Sequence, residues 1–340
     1  MSYTGNYDGP LCPTKGASCF PNIGQAVTTA NVGGKTTVVA GVDAAKAAAA
    51  AKAADQVLLV IDNFHDGGGE GHDRTTIALS TEQITLCGAV LRANKNVAIV
   101  MIDGGLISLD DLAAADVGII NAGMPGVHGG TAVAQTIYGD SNPGGKLPAT
   151  MYPSSYINDV NFLNMSMVAG PGRSYKYYTG KPTFPFGYGL SYTTFTMTWA
   201  SPPPSGSAAT VTSSRSGALG PFKCTVKNTG KVAGDEVVLA FSTPKAHTLR
   251  ASLGDGVPIA KKSLFGFQRV HLEPGASTTV TFTLEAADLA MVDAEGHSAL
   301  HRGEFAVELS RGHGATLQAP VRVEPEGGRA ETLKTFRKWW

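Results

Sequence analysis

The sequence predicts an α/β fold with a mostly parallel sheet, followed by an antiparallel β-sandwich. Three observations carry this. Val57–Ile61 and Val97–Ile102 are continuous apolar runs set between helical stretches, as in parallel strands covered on both faces. From about residue 192 the apolar period becomes two: Phe222, Cys224 and Val226, then Val280, Phe282 and Leu284, then Phe305, Val307 and Leu309. Between the two patterns, residues 139–190 are rich in turns and aromatic rings. At 340 residues, 43% of them hydrophobic, the chain is long enough for about two such cores.

Residues 1–35 are rich in Gly, Pro, Asn and Thr and read as loop, with one short helix near Ile23–Thr29. Val38–Ala40 is a short strand candidate. Ala44–Ala54, nearly all Ala and Lys, is helical by propensity and leads into the strand Val57–Ile61. A helix opens at Ser80, which forms a capping box with Gln83; Ile84, Cys87 and Leu91 follow at i, i+3 and i+7 as its buried stripe. After the strand Val97–Ile102 come a short helix near Leu109–Ala115, a strand at Val117–Ile120, a turn at Gly123–Gly126 and a helix near Thr131–Tyr138. Gly139–Pro148 is turn chemistry. Tyr152, Tyr156, Tyr175, Tyr177, Tyr178 and Phe184–Tyr188 form an aromatic connection, and Pro202–Ser207 is a loop just inside the next unit. Asn228-Thr229-Gly230 and Glu273-Pro274-Gly275 separate strands of the sandwich. The tail from Pro325 reads as a loosely held terminus, and its final Trp339 and Trp340 have no assigned partner.

The formal net charge is zero and Lys and Arg are spread along the chain, so no nucleic acid and no anionic membrane is expected as a partner. No apolar run approaches the roughly 18 residues of a membrane-spanning helix. The segment Met1–Tyr7 has neither a basic region nor an apolar core of the signal-peptide kind. Cys12 and Cys19 lie in a Pro/Gly-rich stretch and can pair in an oxidising compartment; Cys87 and Cys224 fall on apolar faces and read as small core residues.

The chemistry concentrates after the first long strand. Parallel α/β units usually turn from strand to helix in about 2–6 residues. Here the turn takes residues 62–79 and holds four glycines, two histidines, three aspartates and one glutamate. Ligands of open α/β sheets bind at the carboxyl ends of strands, so a carboxylate flanked by glycines, Glu70, suits a proton donor held against a substrate. The bland alternative is a solvated loop carboxylate, since no second carboxyl is fixed opposite it. His65, Asp66, Glu70, His72 and Asp73 have ligand chemistry, but they lack a metal-site spacing and sit on glycine-rich backbone, so no metal and no cofactor is expected. Gly67–Arg74 has His72 where G-x-G-x-x-G needs its third glycine. Residues 139–147 fail as a phosphate loop, with Asp140 at the first glycine position and Leu147 in place of Ser or Thr. Asp73-Arg74 reads as structure, an Arg fork tying loop backbone to the helix that follows. Gly144–Pro148 reads as a turn.

Several stretches together resemble glycoside hydrolase family 3, in its plant and fungal β-xylosidase and β-glucosidase-like branch. They are Ile61-Asp62-Asn63 through Glu70-Gly71-His72-Asp73-Arg74-Thr75-Thr76 with Gln83; Pro125-Gly126 with Gly129-Gly130; Gly139–Pro148; Tyr175–Tyr178 with Phe184–Tyr192; and, in the last part, Val226–Gly230 and Gly266–Gly275. Their shared order runs over residues 1 to about 310. Such enzymes have an N-terminal (β/α)8-type barrel, an α/β sandwich and a fibronectin type III-like domain, and the resemblance covers only the last two. It implies an incomplete α/β sandwich over residues 1–155, whose first strand falls before Met1; an aromatic connection over 156–191; a fibronectin type III-like domain over 192–324; and a tail over 325–340. It implies that Glu70 is the general acid/base and that His72 faces the leaving-group sugar. The substrate would be an oligosaccharide or other glycoside. The nucleophile would be an aspartate of a barrel supplied in cis or in trans, and the full-length enzyme would work outside the cell or in the cell wall. The chain is then a truncated gene model, a fragment or a separate subunit. The rival expectation is a non-catalytic carbohydrate-binding or scaffold protein of the same two domains, with tyrosines of the 175–192 stretch stacking on sugars.

Overall fold

The structure, a computed structural model, describes residues 20–63, 74–205, 209–212, 218–325 and 331–332. The chain forms two compact units: residues 1–141, 151–161 and 181–184 make the first, and residues 142–150, 162–180 and 185–340 the second.

The first unit carries α1 (Ile23–Ala30), α2 (Ala44–Lys52), β1 (Val57–Asp62), α3 (Thr81–Ala93), β2 (Val97–Ile102), α4 (Asp110–Ala113), β3 (Gly118–Asn121), α5 (Gly129–Tyr138) and α6 (Tyr156–Asp159). Its sheet has the order β1-β2-β3, all parallel, with Val57 opposite Val97 and Ala98 opposite Gly118. Val100 and Ile102 are fully buried and pack with Ile23 and Val133, so α1 and α5 cover one face. The alternate residues Leu59, Ile61, Ile99 and Met101 are buried on the other face, where α3 packs against β1 and α2 against α3. The close approach of α1 and α5 explains Gly130: a Cβ there would overlap the Pro21 carbonyl. Asn22 and Gln25 open α1 with a reciprocal capping box, each side-chain oxygen accepting the other's backbone N–H at 2.9 Å. Asp43 caps α2 by accepting from the Lys46 N–H.

Three expectations for this unit need correcting. Val38–Ala40 is irregular, and Val38 is 64% exposed; a β-branched run makes a strand only where a neighbour supplies the ladder. Ser80 caps α3 by accepting from the Gln83 N–H, but the Gln83 side chain does not reach back; it donates instead to the Asp62 carbonyl. With that amide drawn inward, the buried face of α3 is Gln83, Leu86, Cys87 and Val90; of the expected stripe only Cys87 is buried, and Ile84 is 37% exposed.

The second unit carries α7 (Ser174–Tyr177), β4 (Phe195–Trp199), β5 (Thr210–Val211), β6 (Leu219–Asn228), β7 (Gly234–Pro244), α8 (Ala246–Leu253), β8 (Ser263–Leu272) and β9 (Ser277–Leu284). A 3-10 turn (Ala286–Leu289) precedes β10 (Met291–Val292), β11 (Ser298–Leu300), β12 (Gly303–Ser310), β13 (Leu317–Val323) and β14 (Glu331–Thr332). A five-stranded sheet, β5-β13-β12-β7-β8, and a three-stranded sheet, β4-β6-β9, share one core. Phe222, Cys224, Val226, Val280, Leu284, Val307 and Leu309 are all within it, as their period of two requires. The pairing is antiparallel except between β5 and β13. Within the tail, the described pair Glu331–Thr332 (β14) runs antiparallel to β11.

The second unit also takes in residues well before 192. Asn142 donates to the Ala233 carbonyl and accepts from the Ser191 hydroxyl and the Tyr192 N–H. Lys146 lies 2.7 Å from Glu236, and a Cβ on Gly144 would come within 2.7 Å of the Asp235 Cβ. Tyr175 stacks on Phe186 at 4.4 Å, meets Phe241 edge-on, and accepts the Leu264 N–H on its hydroxyl. Gly144–Leu147 is not a turn but an irregular stretch, in which Leu147 exchanges backbone hydrogen bonds with Gly187 and Tyr188.

Candidate active site

β1 delivers its backbone to the carboxyl edge of the sheet at Asp62 and Asn63, both buried. Glu70 and His72 lie outside the described residues, as do His65, Asp66 and Asp73, and likewise Cys12, Cys19, Trp339 and Trp340. What is described is the frame from which the loop departs and to which it returns.

On the departing side, Asn63 accepts the Gly104 N–H at 3.2 Å and donates to the Gly105 carbonyl at 3.4 Å. One amide side chain thereby occupies a donor and an acceptor of the loop after β2. Gln83 adds a 2.6 Å bond from its Nε2 to the Asp62 carbonyl. On the returning side, Arg74 Nη2 donates to the Leu106 carbonyl at 2.9 Å, and the Ser108 N–H reaches the Ile77 carbonyl at 2.6 Å. The Arg74 fork therefore does tie backbone, but to the loop after β2 rather than to α3. Its Nη1 is buried and makes no hydrogen bond among the described residues.

Both stems of the loop are consequently fixed to one shelf, residues 104–108. Asp103 lies between the end of β2 and this shelf. Burial pushes the Asp103 carboxyl up from its ordinary value, against the Asn121 amide, which donates to it at 3.1 Å, and the charge of Arg74. Asp103 and Asn121 end adjacent parallel strands, so a side-chain bond spans the carboxyl edge where such sheets place ligands. Past the shelf, α4 begins at Asp110. Burial raises its carboxyl, but bonds from the Ser154 N–H and side chain and from the Thr183 hydroxyl outweigh it and hold the group below its ordinary value. That carboxylate is committed to structure.

Asp103, Asn121 and the Asn63 clamp escape a reading of local pattern, because each acts on backbone or side chains brought close only by the sheet. The one available signal is that Asp103-Gly104-Gly105, like Asp62-Asn63, ends an apolar strand with polar and glycine residues. Among the described residues no three His, Cys, Asp or Glu side chains group as a metal site. No helix among them is long and apolar enough to cross a membrane.

Comparison with known proteins agrees with this architecture. The glycosyl hydrolase family 3 C-terminal domain matches residues 1–192, and a fibronectin type III-like domain matches residues 236–312. Beta-D-xylosidase 1 of Arabidopsis thaliana is 34% identical over 357 residues, covering 95% of this chain and 44% of the relative. A probable exo-1,4-beta-xylosidase, bxlB, of Aspergillus fumigatus is 33% identical over 358 residues, again covering 44% of its length. Among solved structures, a family 3 exo-beta-xylosidase (XlnD) in complex with a xylobiose aziridine probe superposes with a TM-score of 0.76 at 25% identity, over 97% of this chain and 44% of that one. A beta-glucosidase from Kluyveromyces marxianus in complex with glucose gives 0.70 at 30% identity, over 85% and 34%. The chain thus spans less than half the length of the curated relatives it matches. With the family domain over more than half of its residues, and the parallel α/β unit and β-sandwich in the same order, the chain belongs to glycosyl hydrolase family 3, of which it forms the C-terminal portion.

Proposed function

We propose that this chain supplies the general acid/base of a retaining, exo-acting β-glycosidase of the β-xylosidase, α-arabinofuranosidase or β-glucosidase type. Glu70 is the acid/base, His72 faces the leaving-group sugar, and the nucleophile is an aspartate of a (β/α)8 barrel in cis or in trans. The observation that supports this best is the double anchoring of the loop: Asn63 and Arg74 hold its two stems to a single shelf at the carboxyl edge of the sheet. Both ends of the span that carries Glu70 are thereby placed at the carboxyl edge of the parallel sheet, where such sheets bind ligands.

Retaining hydrolysis needs two carboxyl groups about 5–5.5 Å apart. One attacks the anomeric carbon; the other protonates the leaving oxygen and then takes a proton from water. The second must be neutral at the start, and both the negative charge of the nucleophile and closure of the cleft push its pKa up. Tyr175 is packed on Phe186 and Tyr178 is buried, which takes two of the stretch's tyrosines out of sugar stacking, while Tyr192 stays 48% exposed.

Assays with aryl β-xylosides, β-glucosides and α-arabinosides test the reading. The isolated chain should show no turnover, and addition of the barrel or use of a full-length form should restore it. In that form Glu70→Ala should lose most activity on poor leaving groups and recover part of it with azide. Turnover by the isolated chain would overturn the assignment of the nucleophile to another domain.

A further inference from the structure

Between Asp159 and Arg173 the chain carries no charged residue. Five large apolar side chains of this stretch face water: Phe162 is 74% exposed, Leu163 83%, Met165 85%, Met167 43% and Val168 42%. Single exposed apolar residues are ordinary on a protein surface, but five within seven positions are not. The segment is also not a solvated polar loop, because its polar groups are turned back on its own backbone. Asn164 accepts from the Ser166 N–H at 2.9 Å, and Ser166 from the Val168 N–H at 3.4 Å. Arg173 donates through its guanidinium to the Asn164 carbonyl and through its backbone N–H to the Met167 carbonyl. The result is a self-bonded turn that holds apolar side chains outward.

We propose that residues 162–168 form the docking surface for the part of the full-length enzyme that lies outside this chain. This rests on the reading above, in which that part is the barrel. Two observations choose this occupant. The relatives match nearly the whole of this chain yet are more than twice as long, so the same fold in them carries a large further mass. An uncharged, apolar patch also suits a permanent desolvated contact, whereas reversible partners meet through more polar surfaces. The two methionines add unbranched side chains able to fit an irregular partner.

The test uses peroxide footprinting, in which the thioether sulfur takes one oxygen from hydrogen peroxide and water is released. In the isolated chain Met165 and Met167 should oxidise rapidly, and the buried Met101 and Met151 slowly. The chain is then co-expressed with the region of Arabidopsis beta-D-xylosidase 1 N-terminal to the match, and the complex is recovered through a tag on this chain. The inference expects Met165 and Met167 to be protected about tenfold in that complex, and the paired substitution Leu163→Asp with Met165→Asp to cut recovery of the partner by a similar factor. Equal recovery by the variant, or undiminished oxidation in the complex, overturns the surface and leaves the proposed function standing. A soluble partner that the unmodified chain does not recover overturns both. Protection that appears in the isolated chain only as its concentration rises assigns the patch to a second copy and overturns the proposal.

Discussion

Gln83 sits on a buried helix face, where an amide is costly unless bonded. The 2.6 Å bond from its Nε2 to the Asp62 carbonyl offsets the donor's part of that cost, though Oε1 is buried without a hydrogen bond among the described residues, and it fixes the end of β1 at the point where the long loop departs. Gln83→Met keeps the length of the side chain and removes this donor, so it should lower the stability of the first unit by about 1–2 kcal/mol in urea unfolding. Ile84→Ala, at the neighbouring exposed position, should cost less than about 1 kcal/mol. A reversed ranking would mean that the expected stripe, not the observed one, faces the core. The capping-box reading went astray here for a physical reason: Ser-x-x-Gln places the glutamine correctly, but nothing local tells its amide to prefer a strand carbonyl to the cap backbone.

The elements differ in how far the sequence discloses them. Val97–Ile102 is β2 to the residue, because a strand buried on both faces shows an unbroken apolar run bounded by polar residues. The loop after β2 gives no such signal, since its role as a shelf comes from Asn63 and Arg74, about forty and thirty residues away in the chain. Asp103 at the head of that loop offers a test. Its folded pKa is raised, chiefly by burial, so above that value the folded chain holds a desolvated carboxylate that the unfolded chain does not. Below the ordinary carboxylate range of about 3.9 both states are protonated and the penalty is gone. Asp103→Asn should therefore be more stable than the unmodified chain at pH 7, with the difference closing as pH falls toward 4. Chemical denaturation at the two pH values measures this; an advantage that persists at pH 4 would indicate packing rather than ionisation.

Across the molecule, strand periodicity locates the β-sandwich but not everything that completes it. Lys146, before the first strand of the sandwich, and Arg311, after β12, both pair with the buried Glu236, at 2.7 and 2.9 Å. One anion thus holds two cations inside the second unit, and the three positions are up to 165 residues apart in the chain. The two kinds of removal should differ greatly. Glu236→Gln leaves both cations without their counter-ion and should cost about 3–5 kcal/mol. Lys146→Met leaves the Glu236–Arg311 pair intact and should cost about 1–2 kcal/mol. His313 reports on the same cluster. Burial, then the charges of Lys146 and Arg311, hold its imidazole below the ordinary value, with Glu236 opposing them. As pH falls below about 6.5 the unfolded chain takes up a proton that the folded one resists, so stability of the second unit should decline there. His313→Gln should flatten that decline. Lys146→Met should shrink it, because one of the two charges depressing the imidazole is gone. Thermal unfolding between pH 7 and pH 5 distinguishes these variants, and an unchanged slope in Lys146→Met would show that the Lys146 charge has no part in the titration.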